Sequence, residues 1–396
     1  MTKQGITAKP LHLCMVALTA YPVLAGRSDY RLVGGAQVQQ VMIARALVEA
    51  GVRVSLICLD FGQPAIEVID GIEVHRCFAP GAGVPGLRFF HPRMSGLFAA
   101  MKRINADVYY QRCSGMTTGL VAAWARMAGK PSIYAGASDL DFQPGPPNLT
   151  GAKDRFAFNR GLAAVSAVVL QNPRQQELLR QHHGREGVLI PSCYNPGKKG
   201  GELATSPGQH GEVLWVGMIR PVKRPDRFLQ LARALPHLRF RMIGGALGET
   251  GAVNEYFERI KAEADDLPNV SFMGFVPFAD ADQFFDQAAL LVNTSDHEGF
   301  PNTFLQAWAR GVPCVAMFDT GSRLNGSPPY ALVADDAALL AKIMELMSDA
   351  SIYANFSDRA FLYFKQEHSP EQAAARYIQL LLSLCDKTAG AVAAST

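Results

Sequence analysis

Ser295-Asp296-His297-Glu298-Gly299-Phe300-Pro301-Asn302-Thr303-Phe304-Leu305-Gln306-Ala307-Trp308-Ala309-Arg310-Gly311-Val312-Pro313 is the stretch on which the fold turns. The apolar run Ala289-Leu290-Leu291-Val292-Asn293 before it reads as a buried strand. Glu298 leaves the strand end, and Gly299 permits a sharp turn. Pro301 sits where the first turn of a helix tolerates proline, and Ala307, Trp308 and Ala309 continue that helix. Open N–H groups at such a helix start can hold a phosphate. Gln306 follows about two turns beyond Glu298 and is expected to face the same crevice. Taken alone, the segment also fits an ordinary strand, turn and helix of a parallel sheet with no ligand to hold.

Working outward, strands and helices alternate along the whole chain. Strand patterns fall at 11–18, 52–59, 72–77, 107–111, 132–136, 166–171 and 187–190, then at 213–218, 239–243, 270–274, 290–293 and 313–316. Helical patterns fall near 36–50, 93–104, 116–128, 153–163 and 173–183, and long ones cover 336–347 and 369–385. The Gly-, Pro- and Lys-rich stretch from Ser192 to Gly208 interrupts this alternation and reads as a linker. The segment 319–330 reads as a loop. The expectation is two doubly wound α/β domains of Rossmann-like type, 1–193 and 212–396, joined by 194–211. The final helix, about 369–385, is a candidate to cross back onto the first domain.

Composition sets limits. A chain of 396 residues with 48% hydrophobic and 18% charged residues can bury two ordinary cores. A net charge of +3 gives no argument for nucleic acid. The seven cysteines are scattered, without Cys-x-x-Cys or zinc spacing, and Cys14, Cys58 and Cys314 fall in apolar runs that suit a reducing cytoplasm. Lys3 and Lys9 before Leu11–Leu18 imitate a signal peptide, but His12, Thr19, Tyr21 and Pro22 break the run, and a first strand is the preferred reading.

In an open parallel sheet, ligands bind beyond the carboxyl ends of the strands. Several segments are expected there. Gly34-Gly35 opens a helix after the first strand and lets backbone approach a phosphate. It is neither Gly-x-Gly-x-x-Gly nor a Walker loop, so neither a dinucleotide nor ATP is indicated. Gly217-Met218-Ile219-Arg220-Pro221-Val222-Lys223 follows a strand, and Lys223 would bring a point charge suited to a departing diphosphate. These cations also fit a plain solvated helix start. Gln111-Arg112 ends another strand, which makes Arg112 a candidate for a phosphate or acceptor group. Asp139-Leu140-Asp141 spells Asp-x-Asp after a further strand. Leu87-Arg88-Phe89-Phe90-His91-Pro92-Arg93, with Lys102-Arg103, mixes cations and aromatics as a face for an anionic bilayer would, or as a solvated loop over buried aromatics would.

The Glu298–Pro313 stretch resembles the signature of the retaining glycosyltransferases of family 4, which have the GT-B fold of two domains facing a cleft. In that family a Glu, seven residues and a second Glu bind a sugar nucleotide. Here Glu298 matches the first, and Gln306 stands at the second. Lys223 matches a family lysine, Met218 stands where its arginine is usual, and Arg220 is the nearest substitute. Phe275 and Val276 match a turn that pairs with the base. Ala137 or Ser138 stands where many relatives carry a histidine; the resemblance implies that Asp139-Leu140-Asp141 is a coincidence and not a metal site, and leaves Ser138 and Asp139 as acceptor-side candidates.

The resemblance implies transfer of a sugar from a UDP- or GDP-linked donor to a hydroxyl of a glycan or lipid-linked acceptor, with retained configuration and without a metal. Glu298, Lys223 and Arg220 would be catalytic. Gly34, Gly35, Gly217, Phe275, Val276, Gly299, Phe300, Pro301, Asn302, Thr303 and Gln306 would join them around the donor. A cytoplasmic enzyme touching the inner membrane face is implied. The missing histidine and second glutamate keep two other readings open: a donor-binding scaffold without turnover, and another GT-B activity such as an epimerase or phosphorylase. Gln306→Glu would restore the family residue and is expected to bind donor at least comparably.

Overall fold

The computed structural model describes residues 10–27, 34–146, 149, 151–196, 211–246, 251–296, 298 and 300–393. Most of the expected linker 194–211, the leader-like residues 1–9, and Gly299 therefore lie outside the described residues. The chain divides into two compact units. One gathers the described residues of Met1–Arg27, Ala36–Pro191 and Pro370–Thr396, and the other those of Ser28–Gly35 and Ser192–Ser369. The last helix, Pro370–Ala393, thus groups with the first unit.

The first unit holds β1 His12–Val16, β2 Arg53–Cys58, β3 Ile66–Ile69, β4 Ile72–Arg76, β5 Val108–Arg112, β6 Ser132–Ala135, β7 Ala167–Leu170 and β8 Val188–Leu189. Their order in the sheet is β3-β4-β2-β1-β5-β6-β7-β8. β1 is buried along its length and pairs in parallel with both β2 and β5. Burial on both faces is why the strand reads as a continuous apolar run instead of alternating. β3 is not among the expected strands, and it pairs antiparallel with β4. Its cause is local: Asp70 (φ 51°) and Gly71 (φ 78°) form a two-residue hairpin turn with both angles positive, the geometry that Asp-Gly favours.

The second unit holds β9 Glu212–Val216, β10 Phe240–Ile243, β11 Val270–Phe272, β12 Ala288–Asn293, β13 Cys314–Ala316 and β14 Ala331–Leu332. Every pairing in this sheet is parallel, in the order β11-β10-β9-β12-β13-β14. The chain builds outward from β9 to β11, then returns to place β12 on the other side of β9. The switch point of the sheet is therefore at the carboxyl ends of β9 and β12. Trp215, Phe228, Phe240, Leu290 and Val315 form part of its core, each at most 2% exposed. Burying such a side chain is worth about 1.5–3 kcal/mol. Helix Ala350–Tyr363 is a further addition to the expected elements; Asp349 caps it by accepting from the N–H groups of Ser351 and Ile352.

Among the described residues no helix is long and apolar enough to cross a membrane. Burial pushes the thiols of Cys58, Cys77 and Cys113 up to about 12, and raises those of Cys14 and Cys314 as well. An unfolded thiol titrates at about 8.5. The native state thus holds these protons more tightly than the unfolded chain does. Their contribution is complete below about pH 8.5 and is lost as pH rises toward 12. The urea midpoint is expected to fall between pH 7.5 and pH 10; an equal midpoint would contradict the burial of these thiols.

Candidate functional site

The chain leaves β9 through Gly217 and makes a short 3-10 turn, Pro221–Lys223, before helix Pro225–Ala234 begins. It leaves β12 through Thr294 and Ser295 and reaches Glu298, with helix Asn302–Trp308 beyond. These exits flank the switch point. The Thr294 hydroxyl, fully buried, contacts the carbonyls of Lys223 (2.9 Å) and Arg224 (2.8 Å) and accepts from the Trp215 indole N–H (2.9 Å). The Asp296 N–H donates to the Val222 carbonyl (2.9 Å). Side-chain and backbone bonds together lock the lysine-bearing turn to the end of β12.

That lock brings Lys223 and Glu298 together: the ammonium donates to Glu298 Oε1. The same oxygen accepts from the Ser295 hydroxyl (2.8 Å) and the Asn293 amide (3.3 Å). Both charges are mostly buried, at 24% and 12% exposed for the lysine and glutamate side chains. A partly buried carboxylate with several charge-assisted donors holds one orientation. Asn293 also accepts from the Ser295 N–H (3.1 Å), so the polar cluster closes on itself. Among the described residues Glu298 Oε2 has no hydrogen-bond partner, and an ammonium has two donors beyond the one given to Glu298. The pair can therefore present an acceptor and a cation to the same ligand.

The neighbouring cations do not share that place. Arg224 pairs with Asp226 (2.8 Å), and Arg227 pairs with Asp296 (2.6 Å). Arg220 lies beside Met218, its Nη2 at 2.9 Å from the sulfur and its buried Nε without a hydrogen-bond partner. No carboxylate among the described residues neutralises it by an ion pair.

The ends of β9, β10 and β11 are knit together. The Gly244 N–H donates to the Gly274 carbonyl (2.9 Å), and the Ile219 N–H to the Gly245 carbonyl (3.1 Å). A side chain on Gly244 would meet the Gly217 carbonyl at 2.1 Å, so only glycine lets these strand ends touch. Phe275 packs against Gly245, and Val276 leads to Pro277, which opens helix Phe278–Asp286. Gly244-Gly245 after a strand is the missed signal here, readable in the same way as Gly34-Gly35. Gly34 itself precedes helix Gly35–Glu49, of which Gly35 is the first residue.

Helix Asn302–Trp308 opens at Pro301 without a side-chain cap, and the Phe304 N–H returns to the Pro301 carbonyl (3.0 Å). Phe300 packs at a tilt against His368 (5.0 Å between centroids) and meets the edge of Trp308. Thr303 is half-buried in the first turn. Gln306 departs from expectation. It is 3% exposed, and its amide donates to Asp282 Oδ1 (3.1 Å). The place expected beside Glu298 gives way to a buried one, because helix Phe278–Asp286 offers it a carboxylate.

The candidates of the first unit also take structural partners. Ser138 caps the turn Asp139–Phe142, accepting from the Leu140 N–H (3.3 Å). Asp139 accepts from the Asn172 amide (3.2 Å). Asp141 accepts from the Ala137 and Ser138 N–H groups and from the Ser114 hydroxyl, so its part of Asp-x-Asp serves the loop. Arg112 shares a strand face with Tyr110, which meets Tyr377 of the last helix at 6.1 Å. Arg112 is 6% exposed as a residue, covered rather than presented to an acceptor.

Residues 34–192 match the family model described as a glycosyl transferase 4-like domain, and residues 210–349 match that of the glycosyl transferases group 1. The chain is 28% identical over 177 residues to D-inositol 3-phosphate glycosyltransferase of Mycolicibacterium smegmatis, an overlap of 43% of this chain and only 39% of that protein. It is 26% identical over 324 residues to the GDP-mannose-dependent alpha-mannosyltransferase of the same organism, covering 76% and 81%. Among solved structures, Anabaena HepE in complex with UDP and glucose superposes with a TM-score of 0.70 at 17% identity, over 94% of this chain and all of that one.

Proposed function

The chain belongs to the glycosyltransferases of family 4 and has their GT-B fold, and on that premise we propose that it transfers a sugar from a UDP- or GDP-linked donor to a hydroxyl acceptor with retention of configuration. The observation that carries this reading is the Lys223–Glu298 pair, fixed at the switch point of the second sheet by Thr294, Asn293 and Ser295. Negative charge develops on the leaving diphosphate. Lys223, Arg220 and the backbone of Pro301–Thr303 are the groups that would meet it without a metal. Glu298 Oε2 would accept from a hydroxyl of the transferred sugar. Phe275 and Val276 would line the base, and closure over the donor would exclude water.

The experiment is a thermal-shift screen of UDP-, GDP- and ADP-sugars, followed by transfer to added acceptors with the best donor. A bound donor at 100 times its Kd stabilises by about 2.7 kcal/mol. Failure of every nucleotide sugar to raise the midpoint would refute the reading. One observation favours a second reading: where relatives carry a histidine, the Ala137 N–H holds Asp141 (2.7 Å) and no titratable side chain stands. A scaffold would bind donor and transfer nothing.

The acceptor would be a glycan or a lipid-linked molecule at the inner membrane face of the cytoplasm. Val84, Leu87 and Phe90 are each more than half exposed, with Arg88 and Arg93 between and beside them. Such a patch suits peripheral contact with an anionic bilayer. Co-sedimentation with vesicles containing phosphatidylglycerol should exceed that with neutral vesicles; equal recovery would remove the membrane contact.

A further inference from the structure

Two helices of the second unit each begin at a segment given a donor role above. Helix Phe278–Asp286 follows the turn of Phe275 and Val276, and helix Asn302–Trp308 follows Glu298 and Phe300. Nothing in the donor chemistry fixes the distance between these segments. A largely buried polar network between the helices, open to solvent at its carboxylates, does. Asp282 Oδ1 accepts from the Gln306 amide (3.1 Å) and from the Tyr194 hydroxyl (2.5 Å). Arg310 closes the cluster: Nε donates to Asp286 (2.5 Å), Nη1 to the Tyr194 oxygen (3.2 Å) and to the Gln306 carbonyl (3.0 Å), and Nη2 stands 3.6 Å from Asp282 Oδ2. Tyr194, Gln306 and Arg310 are at most 6% exposed, while the Asp282 and Asp286 side chains are 34% and 35% exposed.

From this geometry we infer that Asp282 is a positioning residue for donor binding, setting through Gln306 and Tyr194 the spacing between the base-side turn and the Glu298–Thr303 segment. The inference rests on the glycosyltransferase reading above. Its logic is one of hydrogen-bond polarity. Asp282 has only acceptors, so its buried partners must be donors. Gln306 supplies an amide N–H, and burial together with the Asp282 carboxylate pushes the Tyr194 phenol up, keeping it protonated. Asp282 and Asp286 already share the single guanidinium of Arg310. A glutamate in place of Gln306 would add a third carboxylate with nothing to donate, and like charges at that distance repel. The amide of Gln306 is thus dictated by Asp282, and Gln306→Glu is expected to bind donor less well than the parent, contrary to the reading from the sequence alone.

The test is the donor KM and kcat of Gln306→Glu, Asp282→Asn and the double variant Asp282→Asn/Gln306→Glu, each with its thermal midpoint. Gln306→Glu should raise the donor KM on the order of 10- to 100-fold, the loss of one hydrogen bond to a charged group, with kcat changed far less. The double variant should recover most of that loss, because the new amide can donate to the new carboxylate and the polarity of the bond is simply reversed. A merely structural role would lower the midpoint and the active fraction while leaving KM alone. A parental KM for Gln306→Glu would overturn the inference. So would a double variant no better than the single. Should Gln306→Glu fail to fold, the double variant must fold and bind donor no worse than Asp282→Asn. If the parent itself gains no stability from any nucleotide sugar, it is the glycosyltransferase reading that fails.

Discussion

Lys223→Ala should lower the rate constant at saturating donor by roughly 30- to 1,000-fold while leaving donor affinity much less affected. The magnitude is that of one preorganised charge donor, about 2–4 kcal/mol. Preorganisation is visible in the structure. The 3-10 turn that carries the lysine is held to β12 by the buried Thr294 hydroxyl and by the Asp296–Val222 backbone bond. Little reorientation then remains when charge develops on the leaving group. An interaction made mainly in the transition state changes kcat and kcat/KM together, whereas uniform binding changes KM. The substitution also leaves Glu298 with Ser295 and Asn293 as its donors, so the thermal midpoint of the variant belongs in the same experiment. An unchanged rate constant in a folded variant would remove Lys223 from the reaction.

Glu298→Gln is expected to fold and to transfer sugar at least about a hundredfold more slowly, by the scale measured for single groups that stabilise a transition state. The amide conserves volume but cannot conserve polarity. Its oxygen can replace Oε1 in front of Lys223, Ser295 and Asn293. Its NH2 then stands where Oε2 was, presenting a donor to a sugar hydroxyl in place of an acceptor. The lysine also loses its counter-charge and would hold the diphosphate more tightly in the ground state, which further favours loss of turnover over loss of affinity. Steady-state rates at saturating donor decide this. Parental turnover would make Glu298 a structural residue.

Much of this is legible in the chain. Parallel strands buried on both faces leave apolar runs, which is why the sequence patterns place β1, β5, β9 and β12 closely. Glu298 and Lys223 are legible because glycine and proline punctuate the loops after β9 and β12. Their ion pair is not, since 75 residues separate them and Thr294 makes the connection. β3 is hidden because it is an exposed edge with no fully buried residue, although the Asp70-Gly71 hairpin signal stands beside it. Gln306 is misread from periodicity because periodicity gives the face of a helix and not the partner packed against it. Asp282 lies 24 residues earlier on another helix, and no spacing rule connects the two.

The most direct test of the account is a crystal structure of the protein with UDP-glucose or GDP-mannose, whichever stabilises it more. The account predicts the diphosphate oxygens at ~2.7–2.9 Å from Lys223 Nζ or the Asn302 and Thr303 backbone N–H groups, with a sugar hydroxyl on Glu298 Oε2 and the base beside Phe275 and Val276. A donor bound with its diphosphate away from Lys223 and its sugar away from Glu298 would contradict it.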